Sequence, residues 1–510
     1  MTKGRRPEWP PPLIFHSLEI GEAIFGASKM KTILFATVSA AALAFAAPVM
    51  AQTVTKALAE NESTVEQTGN SNTATVKQNQ TQQTATIDQD GNGHQSKVLQ
   101  GEQSGSPTIN NVATIIQKAR ADGNGKGEAN VTQESNNNTA TLTQTGDGRA
   151  DISQGINNNF RSGGSNTATI TQTDTNVASS NPSSSTIRNV AGIVQDGSSN
   201  TGSIVQNGDA NVALLNQGAS AANVALNNIA TIGQDGRDHV LDANQAGSDN
   251  ILDATQTGED NVANTLQSGD ANYTLLSQGG SANEAAVEQN GNDNKATVLQ
   301  TGSANDVGDA LPNATPGPYN VNPAYSGTSY SPTVVGLKQN GDNNEAYVSQ
   351  AGGGDAIIEQ IGDRNFAGTV QTGADAVFDA RQEGDDNIIT TTRNNDLNLA
   401  QNNDRSYVQV DQIGNTNQAV LNQYAADATI DVMQDGDRNL ATVTQSGAFG
   451  TSLVTQTGND NVATSSQGAN SYSSITQTGN DNLATATQGA SDYSSIAQSG
   501  NANIVTVTQN

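Results

Sequence analysis

The sequence has no cysteine, one tryptophan and few aromatic residues, and each of these absences narrows what the chain does. Without cysteine it has neither disulfide bonds nor thiol chemistry. Hydrophobic residues make up only 34% of the 510 residues and aromatic residues 4%, which is little for a conventional apolar core. Basic residues number 22 against 50 acidic ones, and the net charge of −28 argues against a nucleic-acid or anionic-membrane partner. Stability must therefore come from another source than an oil-like core.

Side chains that carry catalysis or bind metals are equally scarce. Beyond residue 51 the histidines are His94 and His239, each alone in a repeat turn or strand. With no cysteine beside them, a catalytic triad or a histidine-rich metal site is not expected. Acidic pairs such as Asp385 and Asp386 are interpreted as solvated turns rather than as general acids or calcium ligands. We therefore predict no enzymatic activity, and no catalytic residue, cofactor or metal.

Residues 30–51 have the order of a secretory signal peptide, with a basic residue at Lys31, an apolar stretch over 33–47 and small residues after it. That apolar stretch is short for a membrane span, so we expect no transmembrane segment in the mature chain. Residues 1–29 resemble nothing in the rest of the sequence. They come either from a start site placed too far upstream, with Met30 the true initiator, or from a long cleaved leader.

An eleven-residue period runs along most of the chain. Glutamine recurs at this spacing in two long series, at positions 234, 245, 256, 267, 278, 289 and 300, and at 401, 412, 423, 434, 445, 456 and 467. The fullest copies, such as 289–300 and 456–467, have the pattern Q-x-G-x-x-N-x-A-x-x-x-Q. Because several positions are fixed together in copy after copy, the function must be sought in the repeat.

The residues of each copy favour strands joined by tight turns. A glycine flanked by Asn and Asp, as at Gly458, marks a turn and is costly inside a helix, whereas the residues between turns alternate and are rich in Thr, Val and Ile. We predict an all-β fold, a β-solenoid in which strand, turn, strand and turn make a coil of about 22 residues from two eleven-residue half-repeats. The coils are expected to stack about 4.8 Å apart in an amyloid-like cross-β arrangement.

Stacking explains the abundance of amides. A Gln or Asn turned inward is costly alone, but identical amides one strand spacing above and below can satisfy it. Alanine two places after Asn is expected to keep the two facing sheets close, and it occurs at 213, 263, 296, 367, 419, 441 and 463. We therefore predict a core made of hydrogen-bonded amide ladders interleaved with small and branched apolar residues.

Proline removes a hydrogen-bond donor from a strand and marks where the regular repeats lapse. Five prolines fall within 301–333, and Pro107 and Pro182 fall in two shorter lapses. We divide the mature chain into an N-terminal segment (52–66), repeat block 1 with loop insertions (67–300), a Pro/Gly-rich insertion (301–333) and repeat block 2 (334–510). The loop insertions of block 1 are expected at about 101–130 and 173–190.

The pattern Q-x-G-x-x-N-x-A-x-x-x-Q, together with the Ser-x5-Gln half from Ser471 to Gln477, resembles the repeat of the curlin family, the subunits of bacterial curli fibres. The resemblance covers most of residues 67–510. It implies a secreted subunit that passes through the periplasm and a dedicated outer-membrane pore, and polymerises outside the cell into an amyloid fibre. The implied partners are the chain itself and a related nucleator or fibre subunit. Whether it is a major subunit, a nucleator or a fibre-associated adhesin stays open.

The resemblance also assigns residues to the inward amide ladder that we expect to carry assembly. The positions that match the family are Gln456, Asn461, Gln467, Gln477, Asn482, Gln488, Gln498 and Asn503, and Gln434, Asn439, Gln445 and Gln509 extend the same series. The predicted turn glycines are Gly436, Gly447, Gly458, Gly479 and Gly500.

We expect the chain to be a structural subunit whose exposed strand edges recruit further copies, serving the biofilm matrix, cell aggregation and surface adhesion. The competing hypothesis is a monomeric, capped β-solenoid adhesin that binds a surface through the segments 101–130, 173–190 and 301–333. A capped solenoid needs a polar or irregular terminal coil. Residues 503–510 form a full repeat, which favours polymerisation.

Overall fold

The strands of this protein lie one above another in two sheets. The computed structural model describes residues 52–54, 61–101, 110–121, 123, 125–155, 164–174, 188–218, 226–308, 336–390, 400–401 and 405–510. The upstream segment 1–29, the predicted signal peptide 30–51 and residues 309–335 of the predicted insertion lie outside these ranges.

Regular structure in the described residues is β-strand throughout. The first twenty strands are β1 (Gln52–Val54), β2 (Glu62–Thr68), β3 (Thr73–Gln78), β4 (Thr84–Asp90), β5 (Gln95–Gln100), β6 (Val112–Lys118), β7 (Gly127–Gln133), β8 (Thr139–Thr145), β9 (Gly148–Gln154), β10 (Thr167–Thr173), β11 (Asn189–Gln195), β12 (Thr201–Asp209), β13 (Val212–Gln217), β14 (Ile229–Arg237), β15 (Val240–Ala246), β16 (Ile251–Glu259), β17 (Val262–Ser268), β18 (Tyr273–Ser281), β19 (Glu284–Asn290) and β20 (Lys295–Ser303). The remaining strands are β21 (Asp306–Val307), β22 (Leu337–Asn340), β23 (Glu345–Gln350), β24 (Asp355–Ile361), β25 (Phe366–Gln371), β26 (Val377–Glu383), β27 (Ile388–Thr390), β28 (Ala400–Gln401), β29 (Tyr407–Ile413), β30 (Gln418–Gln423), β31 (Thr429–Asp435), β32 (Leu440–Gln445), β33 (Thr451–Thr457), β34 (Val462–Gln467), β35 (Tyr472–Thr478), β36 (Leu483–Gln488), β37 (Tyr493–Ser499) and β38 (Ile504–Thr508).

These strands form two long sheets that the chain visits in turn. The first sheet contains β1, the even-numbered strands from β2 to β20, then β23, β25, β27 and β28, and the even-numbered strands from β30 to β38. The second contains the odd-numbered strands from β3 to β21, then β22, β24, β26, β29, and the odd-numbered strands from β31 to β37. We call the connection from the first sheet to the second turn 1, and the return connection turn 2. One coil is thus two strands and two turns, and the predicted β-solenoid is confirmed.

From β2 onwards, neighbouring strands within each sheet run parallel and in register, so that like residues stack. Gln256 lies beside Gln278 and Gln434 beside Gln456, one 22-residue coil apart in each case. The register survives the segments outside the described ranges, because β20 pairs with β23 and β19 with β22 across residues 309–335. The stack therefore continues from one repeat block to the other without a change of register.

The period-two pattern places the predicted residues inside. Ser452, Val454 and Gln456 of β33 are buried, and so are Asn461, Ala463, Ser465 and Gln467 on the far side of turn 2. The two strands face each other, because the Ser452 hydroxyl donates a hydrogen bond to Ser465 Oγ at 2.9 Å. The alanines two places after Asn are also at most 2% exposed, which leaves room for the facing sheets to approach.

One expected loop is shorter than the sequence suggested. Strand β6 and the first residues of β7 fall inside 101–130, which we expected to be a loop thrown out from the stack. Ala113 and Ile115 of β6 are fully buried in the core. The prediction was wrong there because glycines and a proline around this half-repeat obscured its strand pattern. The strands also extend past residue 300, since β20 ends at Ser303 and β21 follows at Asp306.

Candidate functional site

The glutamines of the repeat form two ladders, one in each sheet. In the second sheet Gln412 Nε2 donates to Gln434 Oε1 at 2.7 Å, and Gln434 Nε2 donates to Gln456 Oε1 at 2.8 Å. In the first sheet Gln256 Nε2 donates to Gln278 Oε1 at 2.8 Å in the same direction. Each amide thus gives a hydrogen bond to the next coil and accepts one from the coil before. The ladders are polar, with donors pointing towards the C-terminal end of the stack.

Glutamines inside the stack also tie the two sheets together. The second proton of Gln434 Nε2 reaches the backbone carbonyl of Gln418 in the first sheet at 3.1 Å. Gln488 of the first sheet reaches the carbonyl of Tyr472 in the second sheet at 2.9 Å. Both amide protons and the amide oxygen are used, which removes the cost of burying the group. The glutamines therefore hold neighbouring coils in register and facing strands at a fixed distance.

Asparagine forms a third ladder along turn 2. The backbone N–H of Asn461 donates to Asn439 Oδ1 at 3.1 Å, and the backbone N–H of Asn482 donates to Asn461 Oδ1 at 3.2 Å. Asn461 Nδ2 donates to the carbonyl of Gly479 in the next coil at 2.8 Å. At the N-terminal end Gln83 stands in for Asn, with its backbone N–H donating to Asn61 Oδ1 at 3.1 Å. The asparagine side chains therefore provide hydrogen-bond partners for backbone N–H and C=O groups that have no partner within the tight turn.

Glycine opens turn 2 because the coils approach too closely there for a side chain. A Cβ on Gly458 would lie 2.2 Å from the carbonyl oxygen of Gly479, and its φ is +111°. Gly436, Gly479 and Gly500 likewise have positive φ, as the turn requires. Gly447 differs: it lies in turn 1 and is not in the left-handed region, which Phe449 occupies there with a φ of 59°.

The structure brings the twelve predicted ladder residues together in three columns. Gln445, Gln467, Gln488 and Gln509 belong to the ladder of the first sheet; Gln434, Gln456, Gln477 and Gln498 to that of the second; Asn439, Asn461, Asn482 and Asn503 to turn 2. All are buried except Asn503 and Gln509, which are partly exposed in the last coil. Their part in assembly stays a prediction.

Two histidines occupy the asparagine position of turn 1, a role that the sequence analysis missed. The backbone N–H of His94 donates to Asn72 Oδ1 at 2.9 Å, and His94 Nδ1 accepts the backbone N–H of Gly127 at 3.0 Å. His94 Nε2 lies 3.3 Å from the carbonyl of Asp90. His239 makes the equivalent contacts. The spacing could have revealed them, because each histidine follows a repeat glutamine by five positions, as Asn does.

These contacts demand a neutral imidazole. A backbone N–H can only donate and a carbonyl can only accept, so Nδ1 must carry a lone pair and Nε2 the proton. Burial lowers the pKa of both imidazoles below their ordinary value of 6.5. Acidic groups oppose this effect without reversing it: Asp90 and Asp147 raise the pKa of His94, and Asp235 and Asp260 raise that of His239.

Acid should therefore loosen these two coils. Below pH 6.5 an opened coil binds a proton that the closed coil excludes, so the free energy of local opening falls until the folded-state pKa is reached. We expect hydrogen-exchange protection of the Gly127 and Asn261 amides to drop by up to about tenfold per pH unit in that range. Exchange measured between pH 7 and 5, corrected for the intrinsic rate, checks this.

The variant His94→Asn provides the control for acid loosening. It should abolish the extra pH dependence at Gly127 and leave that at Asn261 intact. Carboxyls with a raised pKa act with the opposite sign: desolvation raises the pKa of the partly buried Asp242 to about 6, so its proton is held more tightly in the folded state. The comparison at single amides separates the two effects. Protection with the same pH dependence in wild type and variant would contradict the histidine assignment.

Charged residues at the outer positions of turn 2 also pair between coils. Arg438 donates two hydrogen bonds to the Asp460 carboxylate at 2.8 and 2.7 Å, and Arg364 does the same with Asp386 at 2.7 and 2.8 Å. Each pair joins residues one 22-residue coil apart. The arginine in each pair lowers the pKa of its aspartate. Because both partners are exposed, these pairs favour the register rather than adding much stability.

Among the described residues, no group of three or more His, Cys, Asp and Glu side chains could hold a metal ion. The same part of the chain contains no helix with the length and apolar character needed to cross a membrane.

Comparison with known proteins identifies the repeat. The curlin associated repeat family matches at residues 258–291, 280–308 and 426–467, and these segments include strands of both sheets. The curlin-repeat assignment predicted from the sequence is thus confirmed. No curated protein matches the chain.

Proposed function

We propose, since this chain carries curlin associated repeats on an all-β solenoid, that it is a secreted structural subunit that self-assembles into extracellular curli-like amyloid fibres. Repeat family and fold point to a structural protein rather than an enzyme. The fibres would serve the biofilm matrix, cell aggregation and surface adhesion. Export through an outer-membrane pore and growth from a related nucleator belong to the same proposal.

The observation that carries the proposal is the polarity of the ladders. Every coil presents amide donors on one side and amide acceptors on the other, as Gln434 does between Gln412 and Gln456. The two ends of such a stack are complementary to each other and not to themselves. A second copy can therefore continue the stack head to tail, and each added copy regenerates the same end. Contacts of this heterologous kind produce open filaments.

The first test is fibre diffraction from the mature chain. Residues 52–510 would be incubated with a metal chelator, and any filaments aligned for X-ray diffraction. We expect reflections near 4.8 and 10 Å, which are the strand and sheet spacings of a cross-β fibre. A β-rich chain that stays soluble and monomeric would instead identify a capped solenoid adhesin.

Replacing ladder amides in the last coils should slow seeded growth. Gln488 Nε2 lies 3.3 Å from Gln509 Oε1, so these two residues end the ladder of the first sheet. Leucine at both positions removes the hydrogen bonds that would bind the next copy and leaves its amides unpaired. We expect elongation of pre-formed seeds, followed by a dye that binds cross-β fibres, to slow at least tenfold for Gln488→Leu with Gln509→Leu.

The matched control places the same leucines on the outer face. Thr487 and Thr508 are exposed neighbours in the same strands. Thr487→Leu with Thr508→Leu adds similar hydrophobic surface without touching the ladder, and should elongate at close to the wild-type rate. Equal rates for the two double variants would count against an assembly role of the amides.

A further inference from the structure

One strand in the described structure breaks the parallel rule. Strand β1 pairs antiparallel with β2, with Gln52 opposite Val65, Thr53 opposite Thr64 and Val54 opposite Ser63. Every other strand pair in the described ranges is parallel, from β2 with β4 to β36 with β38. Three residues of β1 thus cover residues 63–65 of the seven-residue strand β2, on the edge away from β4.

That covered edge is the one at which the polar ladders would accept another copy. Gln67 Nε2 already donates to Gln89 Oε1 at 2.6 Å, so the ladder continued beyond β2 calls for an amide donor opposite Gln67 Oε1. At the other end Gln509 accepts from Gln488, and its own Nε2 is the donor that the polarity leaves for the next coil. Strand β38 of one copy therefore fits β2 of another, with Gln509 opposite Gln67.

The sequence period assigns β1 to a different place. Val54 lies 22 residues before Val76, and Val76 lies 22 residues before Val98, so residues 52–54 belong in register with 74–76 in the second sheet. The structure instead holds them in the first sheet and reversed. Strand β1 thus does not occupy the position that the sequence period gives it.

Joining two copies creates that position. Both β2 and β38 belong to the first sheet, so a copy docked through β2 onto β38 leaves room for one strand in the second sheet, between β37 of one copy and β3 of the other. The strand that directly precedes β2 along the chain is β1, and residues 52–54 fall in the register of the vacant position.

We propose that β1 is a removable cap which blocks the N-terminal end of the stack in the free chain and moves into the second sheet when another copy docks. The inference rests on the proposed function, since its partner is a second copy of this chain. An antiparallel strand of three residues is held by few hydrogen bonds. The incoming parallel strand β38 would instead continue both the backbone hydrogen bonds of the first sheet and its glutamine ladder. The exchange hides the edge until a matching partner arrives.

A disulfide can lock the cap, because the natural chain has no cysteine to interfere. Thr53 and Thr64 are opposite each other, and antiparallel partners have Cα atoms about 4.5 to 5.5 Å apart, within disulfide range. Oxidised Thr53→Cys with Thr64→Cys should lose at least nine-tenths of its seeded elongation rate, and a reductant should restore it. Oxidised Thr141→Cys with Thr169→Cys, which joins parallel neighbours in mid-stack, should elongate like wild type.

A second experiment tests whether β1 enters the vacant position in the second sheet, between β37 of one copy and β3 of the next. If β1 enters the second sheet, Thr53 of one copy lies beside Ser495 of another in the continued register. Fibres of Thr53→Cys with Ser495→Cys, grown under reductant and then oxidised, should give covalent oligomers on non-reducing gels. The inference would be overturned if the chain with the locked cap elongated normally, or if the fibres gave no such oligomers. Fibres from the wild-type chain would still support the proposed function in that case. Absence of fibres from wild type would overturn both.

Discussion

Gly458→Ala should unfold the turn in which it lies. The new Cβ would come within 2.2 Å of the Gly479 carbonyl oxygen in the next coil, and the backbone φ of +111° is one that alanine rarely adopts. The backbone of Gly479 cannot move away to relieve the clash, because Gly479 is itself packed closely against Gly500 of the following coil. Overpacking and backbone strain together should cost about 3 kcal/mol or more.

Hydrogen exchange at the Gly458 and Gly479 amides measures the Gly458→Ala effect locally. Both donate to backbone carbonyls of the preceding coil at 2.8 and 2.9 Å, and both should lose protection. Local exchange suits a stacked repeat better than a single global transition, because such proteins need not unfold in one step. Gly233→Ala is the control, since a Cβ there comes no closer than 3.8 Å to Thr255 Oγ1 and the site lacks positive φ. Equal protection in both variants would contradict the close approach of the coils.

Asn283→Leu should be at least as damaging, because it removes hydrogen bonds from buried groups. Asn283 Oδ1 accepts the backbone N–H of Asn305 at 3.1 Å and the Asn305 side-chain amide at 2.7 Å. Asn283 Nδ2 lies 3.3 Å from the carbonyl of Gly302. Leucine leaves these buried groups without their partner, at about 1 to 3 kcal/mol each. We expect a total loss of roughly 4 kcal/mol in the stability of this coil, measured by exchange at the Asn305 amide.

Asn283→His distinguishes loss of an acceptor from loss of shape. The chain itself places His239 two coils earlier in the same column, where its Nδ1 receives the backbone N–H of Asn261. Histidine at 283 should therefore keep much of the protection that leucine removes at neutral pH, and lose it below pH 6.5. If histidine proves as harmful as leucine, the column requires the amide and not merely an acceptor.

The repeating part of the fold follows directly from the sequence. Gln, Asn and Ala recur at fixed offsets, and each has one inward-facing role that stacking alone satisfies, so period, strand pairing and ladder could be derived together. Gln456 and Asn461 lie where the pattern put them because their environment is copied from coil to coil. A repeat makes long-range contacts predictable, since a contact one coil away is an offset in the sequence.

Features that depend on a single copy could not be derived in this way. His94 can stand in for Asn because its Nδ1 accepts the backbone N–H that an Asn side-chain oxygen would otherwise accept. The similarity lies in hydrogen-bond geometry, which the residue type does not reveal. The third residue of turn 2 has a positive φ, whether it is Arg438 or Asp460. A sequence predicts a positive φ only where it has glycine, so this conformation could not be predicted from either residue. Strand β1 pairs with the edge of the first sheet that β2 leaves uncovered, and it runs antiparallel to β2. The residues of β1 alone do not indicate this direction.

The regular stacking also makes the chain a molecular ruler. From β2 to β38 the first sheet has eighteen levels, since β1 is reversed and β27 and β28 share one level. At about 4.8 Å per level, a subunit in an end-to-end fibre would occupy roughly 85 Å. Any outward-facing side chain of the stack would then recur at that interval, so that a group attached to it is spaced evenly along the fibre. Duplicating one coil would lengthen the interval by about 4.8 Å, and coil number would thus set the density of display.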